Sequence, residues 1–343
     1  MKYSFLNDYS EGGHQNILDA LLSSNLEQLE GYGEDKYSLS AAEKIKKKLN
    51  CPNADIHFVT GGTQANLLCI SSFLKPYESV IAVQTAHIEV HEAGAIEFTG
   101  HKINTYLGEN GKISPEQIQY AVDFHYDEHM VVPRLVFISN STELGTVYTK
   151  NELENISKIC KKNNLYLYID GARLGAAMLS KNNDLKFEDL CKYADAFYIG
   201  GTKNGALIGE AIVIINPELK SYFRYNMKQK GALPAKGRLL GIQFDVLFSD
   251  NLFFDLANHA NKMAQKLANG LKAKGYSFFA EPITNQIFPI LPNEIIQKLS
   301  KHFEFYVWSK FDENNSVLRL VCSWATKEEA VDAFLNFEAL TKH

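Results

Sequence analysis

Residues 165–173 read LYLYIDGAR. The first five are large, uncharged and rich in β-formers, as a strand buried on both faces of a sheet requires. Asp170 ends the run, and DGAR supplies turn and helix-start chemistry. The same grammar recurs along the chain. The run 56–60 (IHFVT) precedes GGTQAN, 79–83 (SVIAV) precedes QTAH, 134–139 (RLVFIS) precedes NSTELG, and 195–199 (DAFYI) precedes GGTK. A sixth run follows at 211–215 (AIVII). Helix-like segments lie between them at 64–74, 115–124, 151–162 and 186–193. Strand and helix in alternation predict an α/β fold with a mostly parallel central sheet covered on both faces. After about 245 the texture changes. A long amphipathic segment, 251–274, leads to short strands at 286–290, 304–308 and 317–321 and a helix from 326, which read as a smaller C-terminal α+β domain. The expected division is 1–244, including an N-terminal segment 1–50, and 245–343.

Composition narrows the function classes. The 343 residues are long enough for two domains and a sizeable core. Net charge is −5, without the basic surplus of a nucleic-acid binder. No apolar run approaches the ~20 residues that cross a bilayer, and MKYSFLNDYSEGG has no signal-peptide core. The five cysteines (Cys51, Cys69, Cys160, Cys191, Cys322) are scattered and never form C-x-x-C, which points to a reducing cytoplasm.

In an open parallel sheet, ligands bind beyond the carboxyl ends of the strands. That rule converges His87, Glu143, Asp170, Arg173 and Lys203 on one cleft. GGTQAN reads as a phosphate cup: Gly62 lets backbone approach an anion, Thr63 adds a hydroxyl, and the next helix aims its positive end there. It matches neither the P-loop nor the dinucleotide fingerprint. Asp170 and Lys203, at two further strand ends, suit pyridoxal 5'-phosphate. A lysine condenses with its aldehyde, and an aspartate keeps the pyridine nitrogen protonated. Either residue alone reads more simply as a helix cap or a surface lysine; the three motifs together favour the cofactor.

The ordered set TGGTQANL, QTAH, DGARLG and GGTKNGAL resembles the threonine aldolase branch of the β-eliminating lyase family, within the fold-type I pyridoxal-phosphate enzymes. The likeness runs from LNDYSEGG and GYGEDKY to MKQKGALPAKG and LRLVCSW. It implies the fold-type I transferase-like architecture. It also implies that Lys203 carries the cofactor, Asp170 pairs with its ring nitrogen, Gly62 and Thr63 bind its phosphate, and His87 stacks on the ring. Tyr32 and Lys228 would come from a neighbouring subunit, in a homodimer or homotetramer with shared active sites. Arg173 and Arg319, two of only five arginines, would hold the substrate carboxylate, a task suited to a bidentate guanidinium.

Three departures bear on the substrate. Family members commonly carry serine where Asn7 stands and histidine where Glu143 stands. The segment SEGGH brings Glu11 or His14 toward the cleft. A glutamate can take a hydroxyl proton only if burial raises its pKa. The implied activity is retro-aldol cleavage of a β-hydroxy-α-amino acid to glycine and an aldehyde, with His87 or Glu143 as base. The same apparatus could serve β-elimination, transamination or racemisation of a small amino acid. The pairs His87/His91 and His125/His129 have the i, i+4 spacing of zinc ligands, yet no third ligand is evident in the sequence, and no metal is expected. On this reading His91 turns away from the ring.

Overall fold

The computed structural model describes residues 2–340. Residue 1 of the expected large domain and residues 341–343 of the small one lie outside the described residues. The centre is a seven-stranded sheet. In spatial order its strands are Asp55–Val59, Glu210–Ile214, Ala196–Gly200, Tyr166–Asp170, Val132–Ser139, Glu78–Val83 and Ile103–Tyr106. Glu210–Ile214 runs antiparallel to both neighbours, and the other pairings are parallel.

The six expected strands are present within one or two residues. The seventh, Ile103–Tyr106, was not expected. It is four residues long, carries Asn104 and Thr105, and occupies the sheet edge, so it lacks the apolar run that betrays its neighbours. The central strands Glu78–Val83, Ala196–Gly200 and Glu210–Ile214 are buried throughout. Helices between them start where capping chemistry dictates. Ser114 with Gln117, and Thr149 with Glu152, form reciprocal capping boxes ahead of Pro115–Phe124 and Lys150–Lys162.

Two large apolar cores and one three-residue cluster (Val147, Ala177, Ile283) are present among the described residues. The larger takes in the sheet and its flanking helices up to Leu256. The smaller joins Phe5 to residues such as Leu267, Leu271, Leu318, Leu320 and Phe334. The helix Leu252–Ala273 serves both, with Phe253 in the first core and Leu267 in the second. Around the smaller core, Asn315–Val321 pairs antiparallel with Gln286–Ile287, Ile290–Pro292 and Tyr306–Lys310.

Residues 244 and 245 fall inside the helix Arg238–Leu247, where Phe244 and Leu247 are fully buried in the larger core. The N-terminal arm, by contrast, packs with the C-terminal unit. Tyr3–Ser4 pairs in parallel with Phe303–Glu304, Phe5 N–H donates to the Glu304 carbonyl at 2.7 Å, and Val321 N–H donates to the Phe5 carbonyl at 2.9 Å. Residues 6–10 therefore leave the small unit and enter the cleft beside the strand ends.

Candidate active site

A cavity of about 230 Å³ opens at the carboxyl ends of the parallel strands. Gly62, Thr63, His87, Glu143, Asp170, Arg173 and Lys203 all line it. Each hangs from the turn after its own strand, so the parallel sheet itself gathers them. The helix Gly62–Phe73 starts here with Gly61 as N-cap and no side-chain cap. Its first N–H groups and its dipole therefore face the cavity. A Cβ on Gly62 would stand 2.7 Å from the Tyr198 hydroxyl, so glycine is needed for the close approach of helix and strand. The Gln64 side chain accepts from Thr60 N–H and Oγ1, which stiffens the turn.

Asp170 is nearly fully buried and receives three donors. Tyr198 Oη–H donates to Oδ1 at 2.6 Å, Ala172 N–H donates to the same oxygen at 3.0 Å, and Asn66 Nδ2 donates to Oδ2 at 3.0 Å. Burial raises the Tyr198 phenol well above its ordinary pKa, so it stays a donor. The carboxylate is thereby aimed at a fixed point in the cavity before any ligand binds.

His87 begins a single helical turn, His87–Val90. Its Nδ1 pairs with Glu92 Oε1 at 2.7 Å, and Glu92 has a fully buried carboxylate. Asn66 Nδ2 donates to the same Glu92 oxygen at 2.7 Å. His91 is the C-cap of this turn, with its N–H on the His87 carbonyl. Its ring lies 5.4 Å from the His87 ring and outside the cavity lining. The short turn and the Asp170 side of the cavity bring His87, Glu92 and Asp170 within 4.8 Å of one another. In this cluster Asn66, through its two amide protons, joins the two carboxylates. A metal shared by His87 and His91 through Nδ1 would have to displace Glu92. Of the second pair, His125 Nδ1 is bound to the Ala121 carbonyl at 2.7 Å.

Glu143 Oε1 accepts from the His87 backbone N–H at 3.1 Å and from Ser139 Oγ at 2.6 Å. Its other oxygen is buried and has no partner among the described residues. Burial pushes the carboxyl above the ordinary carboxylate range, helped by the nearby Asp170 charge. That meets the condition under which a glutamate can exchange a proton with a substrate. Lys203 Nζ faces the Tyr9 ring at 5.9 Å. Burial, then the Arg173 charge, pulls its ammonium below the ordinary lysine value, as a nucleophilic amine requires. Glu210 also lines the cavity. It accepts from Gly201 N–H at 2.8 Å, and burial pushes it up to about 8.

The carboxylate-binding side differs from expectation in detail. Arg173 Nε and Nη2 donate to Asp8 Oδ2 and Oδ1 at 2.7 and 3.0 Å. Asn285 Nδ2 donates to Asp8 as well, at 2.9 Å. Burial opposes the Asp8 charge, but Arg173 and Lys203 outweigh it and hold the carboxyl below its usual range. The residue that meets Arg173 is thus Asp8. Asn7, one position earlier, folds its Oδ1 back onto Tyr9 N–H and Ser10 Oγ. Arg319 lies against both Tyr306 and Trp308, 5.4 and 5.7 Å from their ring centres, and outside the cavity lining. Its Nε is buried without a partner among the described residues.

Tyr32 and Lys228 lie outside the cavity lining, exposed and against each other, with Nζ 4.5 Å from the ring centre. His14 accepts the Asn16 N–H as cap of the helix Gln15–Ser23 and packs on Trp324, and Glu11 is exposed; neither lines the cavity. Sequence reasoning missed Asn66, Glu92, Asp8, Tyr198 and Glu210. The available signals were Asn66 in GGTQAN, Glu92 five residues after His87, and Asp8 beside Asn7. Glu210 opens an antiparallel strand, so its position at the cleft end depends on a strand direction that the sequence does not state.

The model of the beta-eliminating lyase family matches residues 5–293. The chain belongs to that family. The low specificity L-threonine aldolase of a Pseudomonas species is 34% identical over 312 residues, covering 88% of this chain and 86% of that protein. The Leishmania major threonine aldolase structure superposes with a TM-score of 0.96 at 49% identity, covering 98% of each chain. The aspartate aminotransferase of Thermus thermophilus matches at a TM-score of 0.72 and 14% identity, over 97% of this chain and 90% of that one, a likeness of fold alone. This beta-eliminating lyase family member thus has the fold-type I architecture expected from its strand-end motifs.

Proposed function

We propose that the protein is a pyridoxal-phosphate-dependent lyase that cleaves the Cα–Cβ bond of a β-hydroxy-α-amino acid, giving glycine and an aldehyde. The carrying observation is the cavity in which Lys203, Asp170, His87, Glu143 and the uncapped helix start at Gly62 meet. The cofactor fits this donor set part by part. The open helix start with Gly62 and Thr63 suits its phosphate, the Lys203 amine its aldehyde, and the Asp170 carboxylate its ring nitrogen. When bound, it supplies an electron sink for the pair released at Cα. The relatives' names support the threonine aldolase reading.

The chain's own residues do the rest. Arg319, with its unpartnered Nε, and the remaining N–H groups of Arg173 hold the substrate α-carboxylate. His87 covers the ring face and offers Nε2, since its Nδ1 is engaged by Glu92. Glu143, raised by burial, offers a second proton-exchanging oxygen next to it. Asn7 stiffens the turn that carries Tyr9 over Lys203. Tyr32 and Lys228 act on the cofactor phosphate of a partner subunit. Exposed Leu22, Leu39 and Leu239, on the helix Arg238–Leu247 and the two helices that pack against it, with exposed Leu26 in the turn after the first of these, support a homodimer or larger assembly with shared sites.

Among the described residues no helix is long and apolar enough to cross a membrane. The unpaired cysteines support a reducing, cytoplasmic setting. Incubating the cofactor-loaded protein with L-threonine, L-allo-threonine and phenylserine tests the reading. Glycine is expected from at least one of them. Pyruvate and ammonia without glycine would favour β-elimination, and no product from any would sink the aldolase reading.

A further inference from the structure

We infer that Glu92 and Asn66 are positioning residues of this site: Glu92 holds the Nδ1–H tautomer of His87, leaving Nε2 as the nitrogen that takes the substrate's β-hydroxyl proton, and Asn66 clamps Glu92 to Asp170. This inference rests on the aldolase reading.

The geometry admits one hydrogen-bond assignment. Asn66 Nδ2 lies against two carboxylate oxygens, which only accept, so its Oδ1 faces Tyr168, whose Oη–H donates to it at 3.1 Å. That fixes the Asn66 amide with Nδ2 on its opposite side. The two Nδ2 protons then meet Glu92 Oε1 at 2.7 Å and Asp170 Oδ2 at 3.0 Å. Glu92 Oε1 is therefore an acceptor on both sides, and the 2.7 Å contact to His87 Nδ1 must carry its proton on the ring. Other charged or titratable groups around the ring are Asp170, within 4.8 Å, Glu143, through the His87 N–H, and His91 at 5.4 Å. None of them bonds Nδ1.

Two carboxylates and an imidazole would otherwise be poorly matched in so small a buried volume. Asn66 has no exposed surface, and the Glu92 carboxylate has none. One amide bridging both acids lets each keep its acceptor role without sharing a proton. It also ties the histidine's orientation to the group that addresses the cofactor ring, so a shift of one carries the other. The chemistry balances at the substrate. The β-hydroxyl proton passes to Nε2, the O–H pair becomes the second bond of the departing aldehyde, and the Cα–Cβ pair ends as the new Cα–H bond of glycine. The proton on Nε2 is the one that Cα gains.

The test uses Glu92→Gln and Glu92→Asp in the cofactor-loaded enzyme. Glu92→Gln should lower kcat about 10²-fold with KM for the amino acid nearly unchanged and the visible cofactor band retained. Glu92→Asp should recover part of the loss, because it keeps the acceptor and changes only its reach. A structural role alone would change KM, band and kcat together, without rescue by Asp. Independently, ¹⁵N NMR of histidine-labelled wild-type holoenzyme should report His87 as the Nδ1–H tautomer. Glu92→Gln with wild-type kcat, or an Nε2–H tautomer in the wild type, would overturn the inference. If the wild type cleaves no β-hydroxy amino acid, the aldolase reading fails, while the tautomer measurement still decides the hydrogen-bond assignment.

Discussion

The floor of the cleft and its arginine flank are built in opposite ways. On the floor, Asp170 has three donors, Asn66 bridges it to Glu92, and Glu92 holds His87. On the flank, Arg319 lies against two aromatic rings, with Nη2 on the Leu6 carbonyl at 3.4 Å and its Nε unpartnered among the described residues. Arg173 stands between these extremes, with two donors given to Asp8 and the others open. The floor is finished before a ligand arrives, as expected of a surface that sets the electronics of a resident cofactor. The flank leaves a guanidinium N–H without a partner among the described residues, an arrangement suited to an exchangeable carboxylate.

This contrast breaks if changes on the two sides have the same kinetic signature. The largest effect belongs to the floor. Asp170→Asn should cut kcat on the order of 10²–10³-fold, read from glycine release under saturating substrate, because an amide cannot hold a ring-nitrogen proton in the same way. On the flank, Arg319→Lys should raise KM roughly 10-fold with a smaller change in kcat, from loss of a charge-assisted bond worth about 1.5–3 kcal/mol. Equal losses in kcat from both would erase the distinction. Lys228→Ala, at the exposed rim, should weaken cofactor retention only several-fold, on the order of 1 kcal/mol, measured by titrating pyridoxal phosphate into stripped protein. No change there would argue against the shared-site reading.

Glu210 sharpens the comparison through stability. Its folded pKa, about 8, lies above the ordinary glutamate value. Its contribution is therefore fully present below about pH 4.3 and is lost as pH rises through 8. Replacing it by glutamine removes that loss. In thermal melts of stripped protein, the Tm of Glu210→Gln relative to wild type should climb between about pH 4.3 and 8. A pH-independent difference would mean that Glu210 is not held neutral by burial.

The sequence made one side of this architecture visible and hid the other. Lys203, Asp170 and His87 were legible because each stands at or shortly after the carboxyl end of a largely apolar strand, and a parallel sheet directs such ends to one place. Asn66 and Glu92 were hidden because their partners are 104 and 26 residues apart and become neighbours only through sheet packing. Asp8 was hidden because the arm's pairing with Phe303–Glu304 decides which side chain reaches Arg173. Likewise no local pattern ties Phe5 to a strand near residue 303, although Phe5 and Phe303 share the smaller core. Strand direction hid Glu210, and mixed polarity hid the edge strand Ile103–Tyr106.

The central claim is that this cavity cleaves a carbon–carbon bond through a cofactor carried on Lys203. The direct measurement pairs glycine and aldehyde release from a β-hydroxy-α-amino acid with the visible absorption of the loaded protein, in wild type and Lys203→Ala. The account predicts equimolar products and an absorption band in the wild type, with both lost in the variant. A colourless wild type that takes up no pyridoxal phosphate, or a Lys203→Ala variant that turns over like wild type, would contradict it.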